Sequence, residues 1–106
     1  MNKYTELSDF EVNKNVAEKL GLAYEVTRYG VVTRMSNKEQ WREFNPCNNP
    51  ADAMTIIIEN KIALVPQLNG DLWICSHHSF YSTTGNLYRA AMEIYLLMKD
   101  AENEKV

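Results

Sequence analysis

The segment from Ile62 to Ser76 reads IALVPQLNGDLWICS, and it decides the fold class. Two apolar runs flank Asn69-Gly70, a dipeptide typical of the tight turn of a β-hairpin. Pro66 has no backbone N–H to donate, so we expect its strand at the edge of a sheet. The segment therefore predicts a pair of antiparallel strands.

An earlier segment, AYEVTRYGVVTRMS (23–36), predicts a second hairpin, because β-branched and aromatic residues dominate it. Gly30 is expected at the centre of its turn. Tyr24, Val26 and Arg28 should share one face, since strand side chains alternate. The next residues, KEQWREF (38–44), are interpreted as a loop that ends in a short extended piece.

Three helices surround these hairpins. Ser8 followed by Glu11 has the spacing of a capping box, and Gly21 suits the left-handed end of the first helix. Asn49 and Pro50 are typical of a cap and a first helical residue, and this helix should run to about residue 60. It is expected to bury Met54, Ile57 and Ile58.

The last helix should begin at the cap Asn86, and its apolar residues recur at helical spacing. The core stripe is Leu87, Ala90, Ala91, Ile94 and Met98. Met92 and Leu96 add a second stripe, which predicts a homo-oligomer if it is surplus to the core. Another helix of the same chain is the alternative partner for that stripe.

The predicted order is α-β-β-α-β-β-α, with no internal repeat. Adjacent hairpins predict an α+β fold, an antiparallel sheet of about four strands with helices packed on it. A length of 106 residues suits one domain, 1–106. We expect the tail after about residue 100 to fray.

Composition restricts the function classes. The formal net charge is −3 and the pI is about 5.3, which argues against non-specific nucleic acid binding. The N-terminal MNKYTELSDF lacks the apolar core of a secretion signal, and no apolar run is long enough to cross a bilayer. Two cysteines are too few for a disulfide scaffold and fit a reducing cytoplasm.

An ordered set of segments covers nearly the whole chain: ELSDFEVNKNVAEKLG, IIIENKIAL, LWIC and TTGNLYRAAMEIYLLMK. This set resembles the NinX-like small proteins of tailed phages and, more loosely, phage sandwich domains of helix-sheet-helix type. The family carries a proline-rich GPTPL before the last helix, where this chain has TTGNLY. The resemblance implies a phage origin and the cytoplasm of an infected bacterium. It implies no biochemical activity.

The first candidate ligand site precedes and opens the last helix. Arg89 lies in the first helical turn, where a cation opposes the helix dipole unless a bound anion or a carboxylate such as Asp52 compensates it. Hydroxyls, free amides and two aromatic rings nearby could hold an anion and stack a base. A solvated arginine beside a polar loop is the alternative. The candidate residues are Tyr81, Ser82, Thr83, Thr84, Asn86, Tyr88 and Arg89.

Two other segments are candidates. FNPCNNPADAM (44–54) places Asn48 and Asn49 at a helix start that could bind phosphate, although a plain helix cap is the favoured alternative. Trp41 and Arg42, with hairpin arginines, could clamp a nucleotide by stacking and phosphate contacts. A tryptophan half-buried against the sheet is the alternative.

The segment WICSHH (73–78) is a poor match to zinc sites, which use ligands in recognisable pairs. A nucleophilic Cys–His pair would lack a third group to orient the histidine. The sequence does not define the roles of Cys47, Cys75, His77 and His78. We therefore predict no metal, no cofactor and no catalytic residue.

The resulting hypothesis is a non-enzymatic phage protein that sequesters a small phosphorylated ligand. A nucleotide signal of host immunity, of the cyclic ADP-ribose or cyclic oligonucleotide type, is the ligand class by analogy. The alternative hypothesis is a small module that inhibits a host protein. The first hypothesis predicts that Arg89→Ala abolishes binding and leaves the fold intact.

Overall fold

A computed structural model describes residues 3–68 and 70–104 of the chain, and it has an α+β fold. The helices are α1 (Asp9–Leu20), α2 (Pro50–Glu59) and α3 (Leu87–Glu104). The strands are β1 (Ala23–Thr27), β2 (Gly30–Arg34), β3 (Arg42–Phe44), β4 (Ala63–Pro66), β5 (Trp73–His77) and β6 (Phe80–Thr84). The order is therefore α-β-β-β-α-β-β-β-α.

The strands form two three-stranded antiparallel sheets, a first sheet of β1–β3 and a second sheet of β4–β6. The prediction of about four strands in one sheet was wrong in both count and arrangement. The short β3 pairs with β2, with Thr33 opposite Arg42. The missed strand β6 follows a two-residue turn, His78-Ser79, that lacks the Asn-Gly signal, although His78 has the positive φ of 54° found in such turns.

The helix ends follow the sequence signals closely. Ser8 and Glu11 form the predicted capping box, and Gly21 ends α1 with a φ of 75°. Asn49 caps α2 by accepting the N–H of Ala51 at 2.9 Å. These local hydrogen bonds satisfy donors that a helix start leaves free, which is why the sequence predicts them well.

Some details of the prediction were wrong. Gly30 begins β2, and the turn of the first hairpin is Arg28-Tyr29. Ile58 is 62% exposed because Ile56 and Ile57 face the core, and the next residue of a helix points about 100° away from them. The predicted edge position of Pro66 is confirmed, since β4 pairs only with β5. Asn69 of the predicted turn lies outside the described residues.

The αβββ order occurs twice, in α1–β3 and in α2–β6, although the sequence shows no repeat. Both leading helices end in the same way. Gly21 and Lys61 have positive φ, and the N–H of Leu22 and of Ile62 returns to the helix at 3.1 Å. Each pair closes a helix and turns the chain into the first strand of a meander.

Helix α1 packs on the first sheet and on α3. Helix α3 also packs on the second sheet and on α2. Helix α3 is therefore buried on several sides, and Met92, Ile94 and Leu96 are fully buried. The second apolar stripe is part of the core of the protomer. It gives no support to the predicted homo-oligomer, which stays a prediction.

Candidate functional site

Arg89 lies at the centre of a polar cluster that joins three parts of the chain. Its Nη1 donates to Asp9 at 2.6 Å and its Nε donates to Glu93 at 2.7 Å. Its Nη2 donates to the carbonyl oxygens of Tyr4 and Leu7, at 2.8 and 2.7 Å. The guanidinium thus connects α3 to the start of α1 and to the segment before it. We call this group the Arg89 cluster.

The unfavourable position of Arg89 in the first turn of α3 is compensated by carboxylates of the protein itself. The sequence suggested an external anion or Asp52, but the carboxylates are Asp9 and Glu93. Asp52 instead accepts the N–H of Asn45 at 3.0 Å. The Arg89 side chain is only 14% exposed, so its interactions are partly shielded from water.

The loop before α2 also reaches this cluster. Asn48 donates to the second oxygen of Asp9 at 3.1 Å and to Asn45 at the same distance. The two segments that the sequence predicts as anion sites, around Asn48 and around Arg89, therefore both contact the carboxylate of Asp9. Asn48 and Arg89 already bind an anionic group, and that group belongs to the protein.

The charges of this cluster affect the titration of Asp9. Burial opposes its ionisation, but hydrogen bonds from Arg89 and Asn48 outweigh burial and hold its pKa below the ordinary value of 3.8. A carboxyl group whose pKa is lower in the folded state stabilises the fold above its unfolded pKa. That contribution is lost as the pH falls through the folded pKa.

We therefore expect Asp9→Asn to lower the free energy of unfolding at neutral pH. The difference from wild type should shrink as the pH falls through the folded pKa of Asp9, because the wild-type carboxyl group then becomes uncharged like the amide that replaces it. Urea unfolding across this pH range tests the prediction. Glu25→Gln, which changes an exposed strand carboxylate with no partner among residues 3–68 and 70–104, is the control. An equal pH dependence of Asp9→Asn and wild type would contradict it.

The remaining residues of the Tyr81–Arg89 segment belong to a strand and a cap. Tyr81 is 73% exposed on β6, while Tyr88 packs partly buried against the core. Asn86 caps α3 by accepting the N–H of Arg89 at 3.1 Å. Thr84 accepts the N–H of Asn86 at 3.0 Å. Ser82 and Thr83 are in β6, paired with Cys75 and Ile74. The polar groups of the cap thus bind one another.

A cleft of about 700 Å³ opens between the first sheet and α2. Helix α2 packs on α3, so it stands away from the first sheet and leaves this space. Both apolar and polar residues line the cleft. The apolar lining residues are Leu20, Leu22, Met35, Phe44, Ala51 and Ile56. The polar lining residues are Thr33, Arg34, Glu39, Gln40, Arg42, Asp52, Thr55 and Glu59.

Arg34 and Arg42 carry the positive charge of this cleft. The register places Arg42 opposite Thr33, so Arg34 lies on the adjacent position of the neighbouring strand. In the described part of the chain neither arginine forms a salt bridge. The Nε of Arg34 is buried and has no acceptor there. Strand side chains alternate, so Arg42 shares a face with Thr33, whereas Arg34 lies on the opposite face, beside Trp41, and donates from Nη2 to Asn37 at 3.4 Å. Both residues line the cleft, and a guanidinium group without an ion-pair partner can bind an anion.

The ring of Trp41 stacks against the guanidinium group of Arg34. The guanidinium carbon of Arg34 lies 4.3 Å from the centre of the Trp41 ring, which is a cation–π contact. Trp41 is 36% exposed and is not among the residues that line the cleft. One face of the ring therefore holds Arg34 in place.

Two of the three carboxylates in the cleft are held by backbone groups. Glu39 accepts the N–H of Met35 at 3.1 Å, and Asp52 accepts the N–H of Asn45. Glu59 is exposed at the end of α2 and accepts no hydrogen bond from residues in the described ranges. In the described ranges none of these carboxylates forms a salt bridge with Arg34 or Arg42, although all three line the same cleft.

Of the predicted site residues, the structure brings only Arg42 into the cleft, with Trp41 behind it. Asn48 and Arg89 are in the Arg89 cluster, and Asn49 caps α2. Sequence reasoning noticed Arg34 but missed the rest of the cleft lining. Strand alternation could have placed Thr33 and Arg42 on one face, but only the packing of α2 shows that this face is open.

The two cysteines are buried and far from their reactive form. Burial raises the pKa of Cys47 to about 12 and that of Cys75 to about 11, so both thiols stay protonated at neutral pH. His77 and His78 stack edge to face with ring centres 4.3 Å apart. Within residues 3–68 and 70–104, no three His, Cys, Asp or Glu side chains could hold a metal ion.

None of the helices in the described ranges has the length and hydrophobicity needed to span a bilayer.

A comparison with family models shows the family to which the chain belongs. A family model described as "Bacteriophage P22, NinX" matches residues 3–99. The chain belongs to the NinX family. This confirms the resemblance seen in the sequence and supports a phage origin for this NinX family protein. No curated protein matches the chain.

Proposed function

We propose that this NinX family protein is a non-enzymatic binding protein that sequesters a small phosphorylated ligand in the Arg34–Arg42 cleft. One observation carries the proposal: two arginines that form no salt bridge in the described ranges, Arg34 and Arg42, line the cleft. Its volume of about 700 Å³ is within the usual range for small-molecule sites. Arginine is the residue best suited to bind phosphate oxygens in pairs.

The apolar lining residues indicate that the ligand has an apolar or aromatic part in addition to its phosphate group. Phe44 and Ile56 are nearly buried and lie beside Leu20 and Leu22 in the cleft. The flat base of a nucleotide can pack on such a surface, and its phosphate can contact Arg34 and Arg42. In a phage protein, a nucleotide signal of host immunity is the ligand we propose, and the host cytoplasm is the proposed location.

Retention of a small molecule tests the proposal. The purified protein is incubated with a bacterial metabolite extract supplemented with cyclic nucleotides, washed and then heated. We expect a phosphorylated molecule to be released and identified by mass spectrometry, and calorimetry to show its binding. If nothing is released, and calorimetry with adenine nucleotides and cyclic nucleotides shows no heat, the proposal is wrong.

Inhibition of a host protein is a second candidate function. Large apolar side chains are exposed away from the cleft, with Tyr29 at 88% and Leu68 at 103% of their reference areas. Tyr29 and Leu68 lie in the turns of two separate hairpins, so each offers a single apolar contact to another protein and the two do not form one established patch. Recovery of one host protein in stoichiometric amount, with no retained small molecule, would favour this second function.

A further inference from the structure

The charges around the cleft limit the kind of phosphorylated molecule that it can hold. Arg34 and Arg42 contribute two positive charges, whereas Glu39, Asp52 and Glu59 contribute three negative ones. Neither lysine nor histidine lines the cleft in the described part of the chain. The chain as a whole is also negative, with a formal charge of −3.

We infer that the cleft selects nucleotides with one or two negative charges, as in phosphodiesters, and discriminates against nucleoside triphosphates. This inference rests on the proposed function and specifies its ligand. A phosphodiester carries about one charge per phosphate, whereas a triphosphate carries about four. Two arginines can balance the first kind of ligand. The excess charge of the second would face the carboxylates.

Helix α2 does not add the positive charge that a triphosphate would need. Its first turn lines the cleft with Ala51 and Asp52. The amide of Ala51 is already bound to the side chain of Asn49. Asp52 places a negative charge at the positive end of the helix, where it offsets the attraction of the dipole for a further anion.

Glu59 gives the cleft a second selective feature. Its carboxylate lines the cleft at the opposite end of α2 from Asp52 and has no hydrogen-bond donor among residues 3–68 and 70–104. An ionised carboxylate only accepts hydrogen bonds. A base with an exocyclic amino group, such as adenine, can donate to it. The same charge repels additional phosphates.

Calorimetry with two probes, cyclic AMP and magnesium-free ATP, tests this selection. We expect cyclic AMP to bind at least about tenfold more tightly than ATP at low salt, because charge repulsion is weakly screened there. Glu59→Gln keeps the shape of the side chain and removes its charge, so it should raise the affinity for ATP about fivefold. Asp71→Asn, which removes an equal charge from an exposed residue between β4 and β5 that does not line the cleft, should leave both affinities unchanged.

The possible outcomes separate the inference from the proposed function. If ATP binds as tightly as cyclic AMP and Arg42→Ala abolishes its binding, the cleft is a phosphate site but the inferred selection is wrong. If Glu59→Gln and Asp71→Asn change ATP affinity equally, Glu59 has no selective role and the inference also fails. If neither probe nor any phosphorylated molecule of the extract binds, the proposed function fails and the inference fails with it.

Discussion

Arg89→Ala is expected to destabilise the protein by about 3 kcal/mol, because it removes the largely buried guanidinium that pairs with the carboxylates of Asp9 and Glu93. The substitution also removes hydrogen bonds to the carbonyl oxygens of Tyr4 and Leu7. Those bonds attach the N-terminal segment to α3. Urea unfolding followed by circular dichroism measures the loss directly.

Arg28→Ala is the matched control for this experiment. Arg28 is exposed in the turn of the first hairpin and its only described neighbour is the ring of Tyr29, 5.4 Å away. Its loss should change the free energy of unfolding by less than about 0.5 kcal/mol. If the two variants unfold alike, the Arg89 cluster does not stabilise the fold. The earlier hypothesis of a free anion contact at Arg89 would then regain support.

The sequence was most informative where a structure depends on neighbours in the chain. The capping box of α1, the left-handed Gly21 and the caps Asn49 and Asn86 all form between residues a few positions apart. Such hydrogen bonds follow from local residue types and spacing. This is why the starts of the three helices were predicted almost to the residue. The end of α3 was not, because the helix continues to Glu104 where the tail was expected to fray after about residue 100.

Strand β6 was missed because its signals are weak. Its sequence, FYSTT, has no apolar alternation, and the turn before it has His and Ser where Asn and Gly are usual. The strand is held by pairing with β5 along its whole length. Phe, Tyr and Thr favour strands, so the residue types were compatible with β6, and the segment looked like a polar loop because it lacks apolar alternation and a turn signal.

The candidate site shows the same division between local and distant signals. The positive charge of Arg89 at the start of α3 correctly indicated that this side chain has an anionic partner. Its partners are Asp9, which is 80 residues away so that no spacing could identify it, and Glu93, whose i,i+4 position on the same helix could have been recognised. The cleft depends on where α2 packs, and this is set by contacts with α3 and not by the residues that line the space.

Replacing both cleft arginines has the largest effect expected on binding. Each hydrogen-bonded contact with a charged group contributes roughly 1.5 kcal/mol or more, so Arg34→Ala/Arg42→Ala should weaken binding of a nucleotide about 100-fold. Arg42→Lys keeps the charge but loses the paired geometry of the guanidinium, and it should give an intermediate loss. Unfolding measurements on each variant separate lost binding from lost structure.

Arg28→Ala/Lys61→Ala is the matched control, since it removes the same charge from residues that do not line the cleft. The decisive measurement is equilibrium dialysis of the heat-released ligand, or of cyclic AMP, against wild type and these two double variants. We predict that binding is lost in Arg34→Ala/Arg42→Ala and kept in the control. Equal binding by both double variants would contradict the assignment of the cleft as the ligand site.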